Sequence, residues 1–278
     1  MTLAPGIRLG PTYRAYRRLR FGLLRLAEPA DRLLRVLQGR RDLPPLWLRR
    51  HTGPLHGYET AAADMFLLID QLSLVKRGDR LLDIGCGPGA MVSGLLDRAG
   101  REGSYIGFDV HRPSIEWCQR LYREDARCRF ELARLASPYA IPGGGPVESY
   151  FFPVADSESD FVLAKSVFTH LEPGEAKRYL AETRRVLRPG RAAILTAFLF
   201  ESGSRTDVGR SRVFRCADET GRLRWRSPLQ PRAAVAYEKG YFYELAEQAG
   251  LRVQWLCAGF FPGETDRPTG QDVLLLGH

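Results

Sequence analysis

Leu81-Leu82-Asp83-Ile84-Gly85-Cys86-Gly87-Pro88-Gly89-Ala90 is the stretch on which the reading of this chain turns. An apolar run broken by one Asp leads into three glycines at alternate positions, and Met91 to Arg98 has helical character. This predicts a strand, a tight turn and a helix start. Ligands bind at such turns, because glycines let the backbone come close and a helix N-terminus offers amide donors. Downstream, strand-like stretches at 80–84, 104–109, 128–132, 160–165, 192–199, 252–258 and 271–276 alternate with helical ones at 89–99, 112–123, 173–187 and 238–249. The alternation predicts an α/β fold with a doubly wound, mostly parallel sheet and helices on both faces. Only a loop separates the last two strands, which predicts an antiparallel pair closing one edge. The segment 200–236 departs from the rhythm: Val213-Phe214-Arg215-Cys216 and Leu223-Arg224-Trp225-Arg226 flank Asp218-Glu219-Thr220-Gly221 and predict a β-hairpin insertion.

With 278 residues, 44% apolar and 26% charged, the chain can bury one full core and carry an appendage. No run reaches the roughly 18 apolar residues that span a bilayer, and Arg interrupts the N-terminal apolar residues too often for a signal peptide. The five cysteines form no close pairs and no metal-ligand spacing, as expected of reduced thiols in a cytoplasmic protein without a metal. The net charge of +9 is local. Residues 1–50 hold twelve arginines against Glu28, Asp31 and Asp42, whereas the other 228 residues balance 29 bases with 29 acids.

In that basic segment Tyr16, Leu19, Leu23, Leu26, Ala30, Leu33 and Leu37 recur at helical steps. Pro29 at a first turn and Gly39 at a C-cap predict two short amphipathic helices. Three readings stay open: a helical cap on the domain, a helix peripheral at the inner face of an anionic membrane, or a nucleic-acid contact, the last being the least favoured. Leu43-Pro44-Pro45-Leu46 reads as an extended linker. Residues 1–55 are thus a basic helical extension, and 56–278 the main domain with 200–236 as a substrate-side insertion. Arg49, Arg50, His51, His56 and Tyr58 occupy a loop before a helix of about 59–74, where they solvate the loop or meet a ligand.

Gly85 to Ala90 also fits the dinucleotide pattern G-x-G-x-x-G/A, and Asp109 ends the next strand about 20 residues on. An acid there suits any adenosine cofactor, because its oxygens accept from both ribose hydroxyls. Asp83 separates the readings: a carboxylate inside a strand is costly unless a cation or amides partner it, and a ligand ammonium would serve. Pro88 removes an amide that a pyrophosphate would use.

These residues carry a resemblance. Leu81 to Gly89 resembles the glycine-rich motif of class I S-adenosylmethionine-dependent methyltransferases, and Ile106-Gly107-Phe108-Asp109 resembles their acidic motif. The stretch from Asp160 to Leu171, containing Ser166-Val167-Phe168-Thr169-His170-Leu171, is similar to the fourth strand and loop of a bacterial subgroup, and Tyr179 to Gly190 to the helix and turn before the fifth strand. The resemblance implies a seven-stranded Rossmann-like sheet and S-adenosylmethionine as cofactor. It implies that Gly85, Gly87 and Gly89 approach the methionine part, that Asp83 lies near its amino group and Asp109 at the ribose, that Val110 and His111 flank the adenine, and that Cys86 and Ser166 are also among the cofactor-binding residues. Leu132-Ala133-Arg134-Leu135 lacks the Asp or Asn with which many relatives meet the adenine amine.

The acceptor is less legible. Lys165-Ser166-Val167-Phe168 is neither the Asn/Asp-Pro-Pro-aromatic sequence of base-amine methylation nor a Pro-Cys nucleophile, and no acid stands between Phe161 and Leu171 to hold magnesium. His170, just past this strand, is the candidate general base, against the plainer reading of a loop anchor. Tyr58, Lys165 and Phe168 are candidates for the acceptor side, although Phe168 and Trp117 also read as core. A small or lipid-linked metabolite methylated on oxygen or nitrogen is the first choice of acceptor, ahead of RNA or protein gripped by the basic arm and of a non-enzymatic cofactor-binding scaffold. No feature of the sequence speaks to the oligomeric state.

Overall fold

The computed structural model describes residues 11–49, 57–137, 139–140, 143–202, 213–259 and 270–278, with the backbone alone for 11–21, 57 and 59–61. Arg50, His51 and His56 of the loop before the domain lie outside these residues, as does 203–212 within the insertion.

Apolar strands with period-2 faces form the centre. β1 (Arg80–Ile84), β2 (Ser104–Asp109), β3 (Cys128–Leu132), β4 (Ser159–Ala164) and β5 (Leu187–Phe200) are parallel in the spatial order β3-β2-β1-β4-β5. β10 (Asp272–Gly277) adds antiparallel to β5, and β9 (Arg252–Cys257) lies antiparallel outside it. The closing antiparallel pair is thus as expected, with the last strand lying inside its predecessor. Leu81, Phe161 and Leu163 face the helices α3 (Gly57–Gln71), α4 (Val92–Ala99) and α5 (Arg112–Leu121). Leu82, Val162 and Ala164 face α6 (Pro173–Val186) and the helix Lys239–Gln248. Both faces of the sheet are covered, which is why β1 and β4 are nearly unbroken apolar runs.

Two expectations change. The insertion is the expected hairpin with a third strand added: β6 (Cys216–Ala217) pairs antiparallel with β7 (Leu223–Trp225), and β7 with β8 (Val235–Glu238), which runs parallel to the end of β5. Val235-Ala236-Tyr237-Glu238 is too short for its pattern to announce a strand, and it is buried by pairing with a distant one. Residues 11–37 are one helix, α1 (Pro11–Leu37), with Pro29 in its interior, not two, and a single turn, α2 (Leu46–Arg49), follows the paired prolines. An interior proline removes one hydrogen bond and strains the turn before it. The polar groups around it offset that locally, since Glu28 and Asp31 both hold Arg35, Glu28 accepts from the Leu46 amide at 2.7 Å, and Asp31 pairs with Arg49.

Candidate active site

The carboxyl ends of β1, β2 and β4 open on a cavity of about 230 Å³, the place where parallel sheets bind ligands. Its floor is the glycine turn. Gly85 and Gly87 have φ of 69° and 53°, a left-handed backbone open to glycine, and the amides of Gly85 and Cys86 donate to the Phe108 carbonyl at 2.8 and 3.1 Å. A Cβ on Gly85 would stand 2.5 Å from Val167 Cγ2, so glycine alone lets the loop after β4 close on the turn.

Two carboxylates line the cavity. Asp109 accepts the Gly87 amide at 2.8 Å on one oxygen and the His111 amide at 2.7 Å on the other, which fixes the turn against the end of β2. Burial raises its pKa, opposed by the His111, Gly87 and Val110 amides. Asp83 is buried and accepts the Tyr105 hydroxyl at 2.6 Å. Its pKa is pushed up to about 7 by burial, against the Tyr105 hydrogen bond and the nearby Lys165. Asp83 pairs in register with Leu163, so Lys165, two residues on, shares its sheet face. Lys165 lines the cavity without a hydrogen-bond or ion-pair partner among the described residues, and burial lowers its pKa, against the charges of Asp83 and Asp64.

The loop after β4 turns sharply. Ser166 has φ +61°, and its amide donates to Thr196 Oγ1 at 2.6 Å while its hydroxyl meets Gln271. Such a backbone in a non-glycine residue persists where its surroundings hold it. The 3₁₀ turn Phe168–His170 then sends neighbours to opposite sides. Phe168 is fully buried, edge-on to Phe242 and Tyr179, and forms no part of the cavity wall; its expected place on the acceptor side is corrected to core. His170 lines the cavity, and its Nδ1 lies 3.0 Å from the Arg232 carbonyl and 3.3 Å from the Tyr139 hydroxyl. A carbonyl only accepts, so Nδ1 carries the proton and Nε2 the lone pair. Burial holds the imidazole below its usual pKa, with the Arg232 charge adding to the effect.

Arg232 reaches this place through the insertion. Its guanidinium donates to Glu175 at 2.6 Å, and Glu175 belongs to the capping box that starts α6, accepting the Glu172 amide at 2.8 Å. Arg232, Tyr139, Tyr179 and Ser137 line the cavity, and sequence reasoning missed all four. The one available signal was the insertion itself, whose last turn, Pro231–Ala233, carries Arg232.

Of the remaining candidates, Tyr58, Cys86 and Val110 line the cavity, and the Tyr58 hydroxyl donates to the Pro88 carbonyl at 3.2 Å. Gly89 and His111 do not line it. Gly89, at φ +85°, is turned towards Cys118 and Val92, and the His111 ring meets Ser114 Oγ at 2.8 Å at the start of α5. Among the described residues no cluster of His, Cys, Asp or Glu could hold a metal ion.

Residues 81–190 match the family described as "Methyltransferase domain". An uncharacterized methyltransferase of Schizosaccharomyces pombe is 32% identical over 43% of this chain and 40% of its own length. A Mycobacterium ulcerans protein named phthiotriol/phenolphthiotriol dimycocerosates methyltransferase 1 is 34% identical over 41% of this chain and 35% of its own. The chain thus spans about two fifths of the curated relatives it matches. Among solved structures, the Burkholderia thailandensis 1,6-didemethyltoxoflavin-N1-methyltransferase, bound to 1,6-didemethyltoxoflavin and S-adenosylhomocysteine, covers 99% of this chain and 92% of its own at 17% identity, with a TM-score of 0.53, and shares the fold. Residues 81–190 therefore belong to the methyltransferase-domain family that they match.

Proposed function

We propose that this protein transfers a methyl group from S-adenosylmethionine to an oxygen or nitrogen of a small or lipid-linked metabolite. The observation that carries the reading is His170, held with its proton on Nδ1 by a main-chain carbonyl so that Nε2 is the basic atom. The Mycobacterium ulcerans relative, which carries phthiotriol and phenolphthiotriol dimycocerosates in its name, supports an acceptor of the lipid-linked kind.

The donor set suits the cofactor. Asp83 is a buried carboxylate whose one hydrogen bond among the described residues is from Tyr105, so it has acceptor capacity for an ammonium group. Asp109 retains lone pairs for ribose hydroxyls beyond the two amides it accepts. When bound, S-adenosylmethionine supplies an electrophilic sulfonium methyl. The protein's part is alignment: the Gly85 to Gly87 turn and the two carboxylates hold the donor, and Leu135, Val147 and Leu171 form apolar walls that keep water out. His170 Nε2 takes the proton of a hydroxyl or amine acceptor, and the Arg232 carbonyl stabilises the resulting imidazolium through Nδ1.

Incubating the protein with methyl-labelled cofactor and a cell extract tests the reading. Label is expected in the small-molecule or lipid fraction. Label confined to RNA or protein would overturn the choice of acceptor, and cofactor binding with no labelled product would favour a scaffold.

Asp83 makes cofactor affinity depend on pH. A ligand ammonium prefers the carboxylate form, so with a pKa of about 7 the affinity is expected to fall about tenfold per pH unit below 7. The sign for stability is opposite. Because the folded pKa lies above the unfolded value, the contribution of protonated Asp83 is full below the unfolded pKa and is lost as pH rises through about 7. Calorimetry in buffers of different ionisation enthalpy reads the released proton, and affinity that stays level from about pH 5 to 8 rejects the assignment.

A further inference from the structure

Among the described residues, six of the ten exposed large hydrophobic side chains lie on α1. Leu23, Leu26, Leu33, Leu34 and Leu37 fall within an arc of about 100° on the helical wheel, and Leu26 and Leu37 are 79% and 73% exposed. A cap packed on the domain would bury that stripe. Here the opposite face is the attached one. Arg35 is buried between Glu28 and Asp31 and donates to the Leu43 carbonyl at 2.8 Å, Glu28 also holds the Leu46 amide, and Arg25 sits 5.3 Å over the Trp47 ring. The helix is held by its polar face and turns its leucines outward.

Charge selects what covers them. The only acids of residues 1–50, Glu28, Asp31 and Asp42, are each engaged by arginines of the same segment. The segment keeps its net excess of nine positive charges while the rest of the chain is balanced. A second copy on the stripe would set one such excess against another. Nucleic acid would answer the charge but leave the leucines in water. A bilayer bearing anionic headgroups answers both, taking the leucines to the acyl boundary and the arginines, on long apolar stems, to the phosphates.

We infer that α1 docks the protein on an anionic lipid surface, lying in the plane of the interface with its leucine stripe inserted. No described helix is long and apolar enough to cross a membrane, so the attachment is peripheral. The inference stands apart from methyl transfer, since lipid binding needs neither cofactor nor acceptor.

Co-sedimentation of the full chain with phosphatidylcholine vesicles, with and without about a third phosphatidylglycerol, tests it. Binding is expected to be at least about tenfold stronger with the anionic lipid and to weaken at high salt. The triple variant Leu26→Ser, Leu33→Ser, Leu37→Ser is expected to lose at least about tenfold in vesicle binding while keeping its cofactor affinity. Should that variant not fold, Arg20→Gln with Arg41→Gln is expected to reduce the preference for anionic lipid, since position 20 flanks the leucine stripe on the helical wheel. The inference is overturned by equal binding to both vesicle types, by a folded triple variant that binds as the parent does, or by arginine variants with undiminished preference. Leucine-dependent dimers in lipid-free ultracentrifugation, or vesicle binding abolished by an RNA oligomer that the triple variant binds equally well, would assign the face to those partners instead.

Discussion

Asp109→Ala is expected to weaken S-adenosylmethionine binding by about a hundredfold or more. Its carboxylate does two jobs at once: it accepts the Gly87 and His111 amides, and in the proposed complex it accepts the ribose hydroxyls. Hydrogen bonds to a charged group contribute about 1.5–3 kcal/mol each, and about 1.4 kcal/mol is tenfold in affinity. Losing two ligand contacts and untying the glycine turn therefore exceeds the effect of any single neutral contact in the cavity. Asp109→Asn keeps the shape but exchanges one acceptor oxygen for a donor, and an intermediate loss is expected. Calorimetric titration checks both; an affinity within about threefold of the parent for Asp109→Ala would remove the residue from the site.

His170→Ala is expected to lower kcat for the acceptor found by labelling about a hundred- to ten-thousandfold, with cofactor affinity little changed. The imidazole is held below its usual pKa, so it is neutral and basic at pH 7, and the parent's kcat should reach its plateau at a lower pH than an ordinary histidine would allow. The acidic limb of that profile should vanish in the variant. His170→Gln can still donate to the Arg232 carbonyl but has no basic nitrogen, so loss of rate with retained thermal stability separates chemistry from loop anchoring. Unchanged turnover across pH in both variants sinks the base role.

Strands β1, β2 and β4 were readable because each is a short, largely apolar run, and burial on both faces leaves such runs little choice of register. The acids at positions 83 and 109 were readable because a carboxylate at a buried strand end needs a reason. What holds them was not. Tyr105 reaches Asp83 because Gly107, its strand neighbour in register, has no side chain and stands against Cys86. That is a fact of pairing between β1 and β2, absent from either segment alone. Phe168 and His170 are two residues apart and look alike as candidates, yet one turn of 3₁₀ helix sends the first to the core and the second to the cavity. The partner of His170 lies 62 residues away and is a main-chain atom, which no residue type can announce. Pro29 misled because the Arg35–Asp31 pair within the helix and the Asp31–Arg49 pair to the segment after it offset a local penalty.

The oxygen that fixes the tautomer of His170 belongs to the backbone at position 232, so every residue type placed there presents the same atom. The segment leading to it can exchange its side chains, and with them the shape offered to a substrate, while proton handling is inherited unchanged. Its length is not equally free. One residue added or removed between β7 and Arg232 would carry the carbonyl out of reach and let the ring choose the other tautomer. Substrate range in this scaffold should therefore drift by substitution and be lost by insertion, and a library built on the segment is best varied in composition at constant length.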